Sequence, residues 1–296
     1  MANLKEVKNR IASVVSTQQI TKAMKMVAAA KLRKSQERIT QMRPYALKLD
    51  AILRNLSQAQ SSGDGDQWYS QVREEKRILI VAVSSDRGLC GSFNSTVCKG
   101  VLRLIQDKYE SQYKKGNVVI LPIGRKSAEY FVKRKFEILN QYVGLFAELN
   151  FENASQVAET IMKTFRSGKF DKVEVVYNEF KNVATQILRT EQWLPVHLPE
   201  ETADKKATPT EYIYQPGQEE IITEMIPNSL KVQLFKALLD SNAAENGARM
   251  TAMDKATDNA GELLKELRLS YNRSRQAAIT KEILEIVGGA EALKSA

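Results

Sequence analysis

Apolar residues recur in alternating steps of three and four along the first 57 positions of the chain. Sixteen positions from Leu4 to Leu56 follow this spacing, and twelve of them are apolar. A narrow apolar seam of this length is typical of a coiled coil, in which one helix face packs against a partner helix. At about 1.5 Å per residue the helix would span roughly 80 Å. The pattern predicts one long projecting helix, which Pro44 is expected to kink or interrupt.

Polar residues break this seam at Gln18, Thr21 and Lys25. Over the same stretch the apolar residues occupy other positions of the helix, namely Ile20, Ala23, Met24, Met26 and Val27. A buried face that rotates part way along a helix implies contact with something other than the partner helix. A local stutter in the supercoil is the alternative interpretation.

The last 68 residues repeat the helical spacing. Their seam contains many small residues and runs through Met253, Ala256, Ala260, Leu263, Leu267, Tyr271, Ser274 and Ala278. Residues 227–229 predict the helix start, with Asn228 or Ser229 as its cap, and Gly288 with Gly289 predicts its end. Two very long helices at opposite ends of one chain, each with a narrow seam, predict an antiparallel coiled coil.

The segment between the two long helices has a different character. Residues 78–83 and 118–123 are continuous aliphatic runs that predict buried parallel strands, with an amphipathic helix between them. Further helices are predicted at 125–134 and 153–165, and further strands at 173–177 and 184–188. Alternating strands and helices indicate a small open α/β, Rossmann-like domain inserted between the helices. A flexible linker is expected at 63–66, and a loop at 194–215 with a short extended piece at 212–214.

We therefore predict three parts: an N-terminal coiled-coil helix at 1–57, an α/β domain at 58–228 and a C-terminal coiled-coil helix at 229–296. The net charge of +9 lies in the first part, which has 12 lysines and arginines against 3 acidic residues. This concentration of charge implies an acidic partner, either nucleic acid or an acidic protein surface. Tyr45 is the one aromatic residue before Trp68, so stacking on bases is disfavoured and a nucleic acid would be bound through phosphates alone.

The sequence has no pattern typical of a membrane-spanning or secreted protein. Its longest apolar run is far shorter than the roughly 20 residues that a spanning helix needs. Its first residues lack the apolar core of a secretory signal, so we expect the protein to act in the compartment where it is made. Because the helical pattern begins at once, a bacterial protein is favoured over an organelle precursor.

Candidate chemistry is sparse. The loop at 84–92 carries Gly88 and Gly91 in a G-x-x-G spacing, which is a weak phosphate-binding signal and is more typical of a strand-to-helix turn capped by Ser92 or Asn94. Cys90 and Asp86 lie in the same loop without a nearby histidine, and the single histidine, His197, lies in a proline-flanked loop. We expect no catalytic residue, cofactor or metal site. A nucleotide-dependent enzyme and an RNA-binding helical arm are the two rival hypotheses.

Three stretches carry a resemblance to a known family. The string ITKAMKMVAAAKLR at 20–33 closely resembles the first helix of ATP synthase gamma subunits, and SDRGLCG at 85–91 is similar to that family's first strand-to-helix turn. Near the end, YNRSRQAAITKE at 271–282 is similar to the family's C-terminal signature. These stretches lie at the start, middle and end of the chain, so the resemblance covers nearly all of it.

The resemblance implies a non-catalytic central rotor shaft of a bacterial F-type ATP synthase, coupling proton flow through the membrane sector to ATP synthesis or hydrolysis by rotation. It implies four partners: the alpha and beta subunits of a hexameric ring, an epsilon subunit and a membrane c-ring. It implies no nucleic acid, and contact with the membrane only through partners, on the cytoplasmic face of the inner membrane. The cysteine-bearing insertion of chloroplast members is missing, so regulation by thiols is not expected.

The resemblance also implies roles for particular residues. Met24 and Lys25, where the seam breaks, would face an acidic beta-subunit loop. Arg275 and Gln276 would hydrogen-bond beta-subunit loops. An apolar bearing tip would be formed by Ile279, Ile283, Ile286 and Val287.

Overall fold

The structure is a computed structural model that describes residues 4–59, 69, 71, 73–139, 142–196 and 218–294. Its helices are α1 (Leu4–Ala59), α2 (Phe93–Lys108), α3 (Glu110–Lys114), α4 (Arg125–Lys133), α5 (Phe151–Arg166) and α6 (Gln218–Lys294), with a 3-10 turn at Leu145–Glu148. Its strands are β1 (Ile78–Val83), β2 (Val118–Ile123), β3 (Glu137–Ile138), β4 (Lys172–Phe180) and β5 (Gln186–Leu194).

The chain forms two compact units. The first, here called the helical unit, consists of Met1–Ala28 and Met250–Ala296. The second, the sheet unit, is Ala29–Arg249. Both long helices contribute to both units, since the boundaries between the units fall within α1 and within α6.

The sheet unit contains a five-stranded sheet in the order β3-β2-β1-β4-β5. Strands β1 to β4 are parallel, and β5 is antiparallel to β4, with a register shift between Val173 and Glu174. Helical crossovers join the parallel strands, whereas a tight turn suffices for the antiparallel pair. In that turn Asn182 Oδ1 accepts hydrogen bonds from the backbone N–H groups of Ala184 and Thr185. The predicted open α/β architecture is confirmed, and the strand predicted at 184–188 runs from Gln186 to Leu194.

Helices cover both faces of this sheet. One face packs against α5 and the first part of α6, with Phe165, Phe170, Leu230 and Leu238 among the buried residues. The other face packs against α2 and α4, with Val97, Val101, Ile105 and Phe131 buried. Burial on both faces explains why β1 and β2 are continuous apolar runs rather than alternating ones.

Several predicted helix ends are wrong. Helix α6 begins at Gln218, ahead of the predicted start at 227–229, and Pro227 lies inside it. Helix α1 likewise continues through Pro44 without interruption. A proline lacks one N–H donor, but the hydrogen bonds on either side of it can still propagate the helix. Gly288 and Gly289 also lie inside α6, since a glycine costs a helix only about 1 kcal/mol relative to alanine.

Some predictions lie outside the described residues: the linker at 63–66, His197 and the extended piece at 212–214. The short elements α3, β3 and the 3-10 turn were not predicted, because two to five residues carry too little periodicity. The domain ranges 1–57, 58–228 and 229–296 stay predictions.

Asp240 is a buried carboxylate of α6 in the sheet unit, with 7% of its surface exposed. Burial raises its pKa from the ordinary 3.8 to about 6, although Lys236 opposes this change. An aspartate pKa that is higher in the folded than in the unfolded state favours folding at low pH, and this contribution is lost as the pH rises from about 4 to about 6.

We expect the variant Asp240→Asn to be about as stable as the parent near pH 4 and more stable by roughly 2 kcal/mol near pH 7.5. Urea unfolding of both proteins at the two pH values measures this difference. Asp107→Asn makes the same chemical change at an exposed position of α2 and should have no such pH-dependent effect. If Asp240→Asn were no more stable than the parent at pH 7.5, burial would not raise the pKa of Asp240 as described.

Candidate partner-binding surfaces

In the helical unit, α1 and α6 pair antiparallel through the polar positions of the seam. Lys25 Nζ lies 2.5 Å from Asp254 Oδ1. The Thr21 and Thr257 hydroxyls are 2.8 Å apart, and Gln18 donates to the carbonyl of Thr257. Residue numbers rise on one helix as they fall on the other, which confirms the predicted antiparallel coiled coil.

The prediction that the seam fails at Gln18, Thr21 and Lys25 is therefore wrong. These side chains stay in the interface, where polar residues of α6 satisfy them, and Thr21 is buried. Apolar layers lie on both sides of the polar segment and are formed by Val7, Ala28, Met253, Ala260 and Leu264. A seam can include polar residues when each finds a partner across the interface, because the cost of burying them is then offset.

The displaced apolar residues remain outside the seam. Ile20 and Val27 are exposed, and Met24 lies half-buried between them at helical spacing. These three residues, here called the outer patch, lie on one face of α1. Lys25 is next to this patch, with 40% of its side chain exposed despite its ion pair with Asp254. The role of Met24 and Lys25 as contact residues stays a prediction. Sequence analysis did not name Asp254, an acidic residue beside the seam of the opposite helix.

The C-terminal part of α6 carries four exposed branched apolar residues. Ile279, Ile283, Ile286 and Val287, here called the tip stripe, are between 47% and 71% exposed. At 3.6 residues per turn Ile279 and Ile286 lie about 80° and 60° from the seam position of Tyr271, and Ile283 and Val287 lie about 120° and 160° from it. The stripe is therefore centred about 100° to one side of the seam position of Tyr271. Leu284 is exposed as well, and sequence analysis missed it because it lies off this spacing.

The register of the helix pair places the tip stripe beyond the end of α1. Lys25 pairs with Asp254 and Thr21 with Thr257, so Leu4 comes level with Arg275. Residues of α6 that follow Arg275 have no described residue of α1 opposite them. Large exposed apolar side chains without cover mark an interaction surface.

Arg275 and Gln276 are both exposed and lie one turn before the tip stripe. The Gln276 carbonyl accepts a hydrogen bond from the Thr280 hydroxyl, and its side chain makes no hydrogen bond to a described residue. Arg275 lies 21 positions after Asp254, the partner of Lys25, which corresponds to roughly 30 Å along the helix. Lys25 and Arg275 therefore lie at two positions along the helix pair, roughly 30 Å apart, and do not form one site.

The glycine-containing turn after β1 uses its polar groups within the sheet unit. Asn94 Oδ1 accepts hydrogen bonds from the Ser85 N–H and hydroxyl, and Asp86 Oδ1 accepts one from the N–H of Arg125. Arg249 of α6 donates to the carbonyls of Gly88 and Arg87. The turn is therefore held by protein groups rather than presented as an open phosphate cradle.

The predicted cap of α2 is wrong in detail. Ser92 occupies the N-cap position, but its side chain makes no capping hydrogen bond. Asn94 lies inside the helix, where its side chain reaches back to Ser85 instead. Sequence analysis did not name Arg249, which joins the turn to α6. The sequence pattern that could have indicated it is Glu245 one helical turn earlier, because the two side chains form an ion pair at 2.6 Å.

The crevice where an open α/β sheet would bind a ligand is filled. The strand order reverses between β1 and β4, and ligands of such sheets bind beyond the carboxyl ends of the strands at that point. Here Cys90, Phe93, Ala244 and Ala248 form a buried cluster with Phe180 packed against it. Burial raises the pKa of the Cys90 thiol, which disfavours the reactive thiolate. This packing fills the crevice between β1 and β4, whereas a cavity of about 730 Å³ lies beside the same turn and is lined in part by Asp86, Arg87 and Arg125.

The described part of the chain has neither a membrane-spanning helix nor a metal-binding cluster. No helix there is long and apolar enough to cross a membrane. No cluster of three or more histidine, cysteine, aspartate or glutamate side chains there is placed to hold a metal ion.

Three solved structures show the same fold. A chain of the Euglena gracilis mitochondrial ATP synthase OSCP/F1/c-ring assembly matches 98% of this chain and 94% of its own length, with a TM-score of 0.65 and 18% identity. A chain of the rotor of that enzyme matches with a TM-score of 0.60 and 17% identity, covering 93% of this chain and 98% of its own. A chain of the Tetrahymena thermophila central stalk/c-ring matches 80% of this chain and 99% of its own, with a TM-score of 0.55 and 25% identity.

Comparison with known sequences identifies the family to which the chain belongs. The family model described as ATP synthase matches residues 3–293. The ATP synthase gamma chain of Cytophaga hutchinsonii is 57% identical over 296 residues, which is 100% of both chains. That of Christiangramia forsetii is 51% identical over 99% of both chains, and that of Chlorobaculum tepidum is 48% identical over 99% of this chain and 100% of its own. The chain therefore belongs to the ATP synthase gamma chain family.

Proposed function

We propose that this chain is the central rotor shaft of a bacterial F-type ATP synthase. Rotation of the shaft would couple proton flow through the membrane sector to ATP synthesis or hydrolysis elsewhere in the complex. The observation that carries the proposal is the tip stripe, because a chain of this family exposes four large apolar residues where α6 extends past α1. An end of this kind fits an apolar sleeve in which a shaft can turn.

The proposed partners follow from the same assignment. The paired helices would lie inside a hexameric ring of alpha and beta subunits, and the sheet unit would contact an epsilon subunit and the membrane c-ring. The chain would have no catalytic role of its own. It would meet the membrane only through these partners, at the cytoplasmic face of the inner membrane.

Charge supports a protein partner along α1. The first 57 residues have an excess of nine positive charges, and Lys22, Lys31 and Lys34 are exposed. Met24 and Lys25 are proposed contacts of an acidic beta-subunit loop. Since Lys25 already pairs with Asp254, such a loop would share the lysine, and the outer patch beside it would supply the apolar part of the contact.

Reconstitution tests the proposal. The chain is mixed with alpha and beta subunits from the same source, and co-elution and ATP hydrolysis are followed. We expect one copy in each ring and hydrolysis above that of the ring alone. A chain that stays out of the ring would disprove the assignment. Titrations with ATP, NAD and RNA would then test the two rival hypotheses.

Arg275 provides a sharper test of the proposed beta-subunit contact. Removing a charge-assisted hydrogen bond costs about 1.5 to 3 kcal/mol, so Arg275→Ala should lower ATP hydrolysis of the reconstituted complex roughly tenfold or more. Arg273→Ala removes an equally exposed arginine from another side of α6 and should have little effect. Equal activity of the two variants would argue against the contact.

A further inference from the structure

A cavity of about 590 Å³ lies inside the sheet unit, between α1, α6 and the β4–β5 hairpin. Much of its wall is apolar and comes from Ile39, Met42, Leu49, Val232 and Leu239. A cavity of this size can hold a small organic molecule. All of its described lining residues belong to the sheet unit.

Among the described residues that line this cavity, Asp240 is the one charged side chain that is more than nine-tenths buried. It makes no hydrogen bond and no ion pair within 4 Å to any residue that the structure describes. A buried carboxylate without such a partner is costly, since it has lost the water that would solvate its charge. The cavity leaves room for a donor that would satisfy it.

Charged groups from each neighbouring element face Asp240 at longer range. They are Lys236 on its own helix, Arg43 on α1, Glu179 on β4 and Glu191 on β5. The two glutamates have other partners, because Glu179 pairs with Arg189 at 2.6 Å and Glu191 accepts a hydrogen bond from Tyr177 at 2.9 Å. Asp240 is thus the carboxylate that is available to a ligand.

We propose that this cavity binds a small primary amine with an apolar body. Its ammonium group would donate to the Asp240 carboxylate, and its body would pack against the apolar wall. A neutral ligand would leave the carboxylate without a charged donor.

Protons should compete with the amine. Protonation of Asp240 removes the charge that attracts the ammonium, and burial raises the pKa of this group to about 6. Affinity should therefore be highest above about pH 7 and fall severalfold as the pH is lowered to about 5.

The test uses 3-phenylpropylamine and the matching alcohol, 3-phenylpropanol, with the full-length chain at pH 7.5. Calorimetry gives the affinities, and methyl NMR of the methionines locates the ligand. We expect the amine to bind with 1:1 stoichiometry, to shift the Met42 methyl signal and to leave that of Met26, which lies in the helical unit, unchanged. The alcohol should bind at least about tenfold more weakly.

Two variants complete the experiment. Asp240→Asn keeps the shape of the side chain and should weaken amine binding by about tenfold or more, while its affinity for the alcohol stays the same. Asp107→Asn should bind the amine like the parent. No detectable binding of the amine, equal affinity for amine and alcohol, or an Asp240→Asn variant that binds the amine normally would each overturn the proposal.

Discussion

Replacing Ile283 and Ile286 of the tip stripe with aspartate should abolish most ATP-driven proton pumping by the assembled complex. Burying an isoleucine in an apolar sleeve stabilises the assembly by roughly 2 kcal/mol, so the double variant loses about 4 kcal/mol. Two carboxylates would also have to lose their water on entering the sleeve, which adds to the loss. Pumping is measured in inverted vesicles, together with ATP hydrolysis by the isolated complex.

The variant itself should fold normally, because both isoleucines are more than half exposed in the chain. Its thermal unfolding should match that of the parent. Val132→Asp is the matched control, since Val132 is an equally exposed branched residue on α4 in the sheet unit. Unchanged pumping by the double variant would contradict the bearing role of the stripe. Equal losses in the double variant and the control would point to a general effect of a new surface charge.

The second large effect concerns stability, at Gly124. This residue joins β2 to α4 with φ 105° and ψ 143°, a conformation that is essentially restricted to glycine. A Cβ atom here would lie 2.1 Å from the Ser84 carbonyl oxygen and 2.9 Å from its hydroxyl. Neither atom can move freely, because the Ser84 hydroxyl bonds Ser127 at 2.8 Å at the carboxyl ends of β1 and β2. Gly124→Ala should therefore destabilise the sheet unit by on the order of 4 kcal/mol.

Urea unfolding followed by circular dichroism measures this loss. Gly144→Ala is the control, because Gly144 has an ordinary φ of −101° and a Cβ there would meet no atom within 4 Å. It should change the free energy of unfolding by less than about 1 kcal/mol. If the two variants unfolded at the same urea concentration, the close approach between Gly124 and Ser84 would not be a constraint.

Local patterns in the sequence predicted much of the fold. The strands at 78–83 and 118–123 are recognisable because sheets covered on both faces need continuous apolar runs. The α6 seam at Met253, Ala260 and Tyr271 follows from helical spacing, and all three are buried or half-buried. Helix ends were harder to predict, since a proline or a glycine removes only part of the local stability and neighbouring turns can maintain the helix.

The residues of the candidate partner-binding surfaces also fall into two groups, those that local sequence patterns predict and those that they do not. The tip stripe could be predicted, because spacing and apolarity are properties of a single helix. The pairing of Lys25 with Asp254 could not, because the two residues lie 229 positions apart and local rules say nothing about which side chains meet. The same holds for the contact of Arg249 with the turn at Gly88.

The sequence by itself determined that two long helices flank an α/β domain, where apolar side chains leave the seam of α1, and to which family the chain is similar. Only the tertiary structure decided that polar residues complete that seam, that Arg249 of α6 bonds the glycine turn, and that Asp240 faces a cavity. The physical reason is that periodicity reports which face of an element is buried. The partner of a buried polar group, by contrast, is set by contacts between distant parts of the chain.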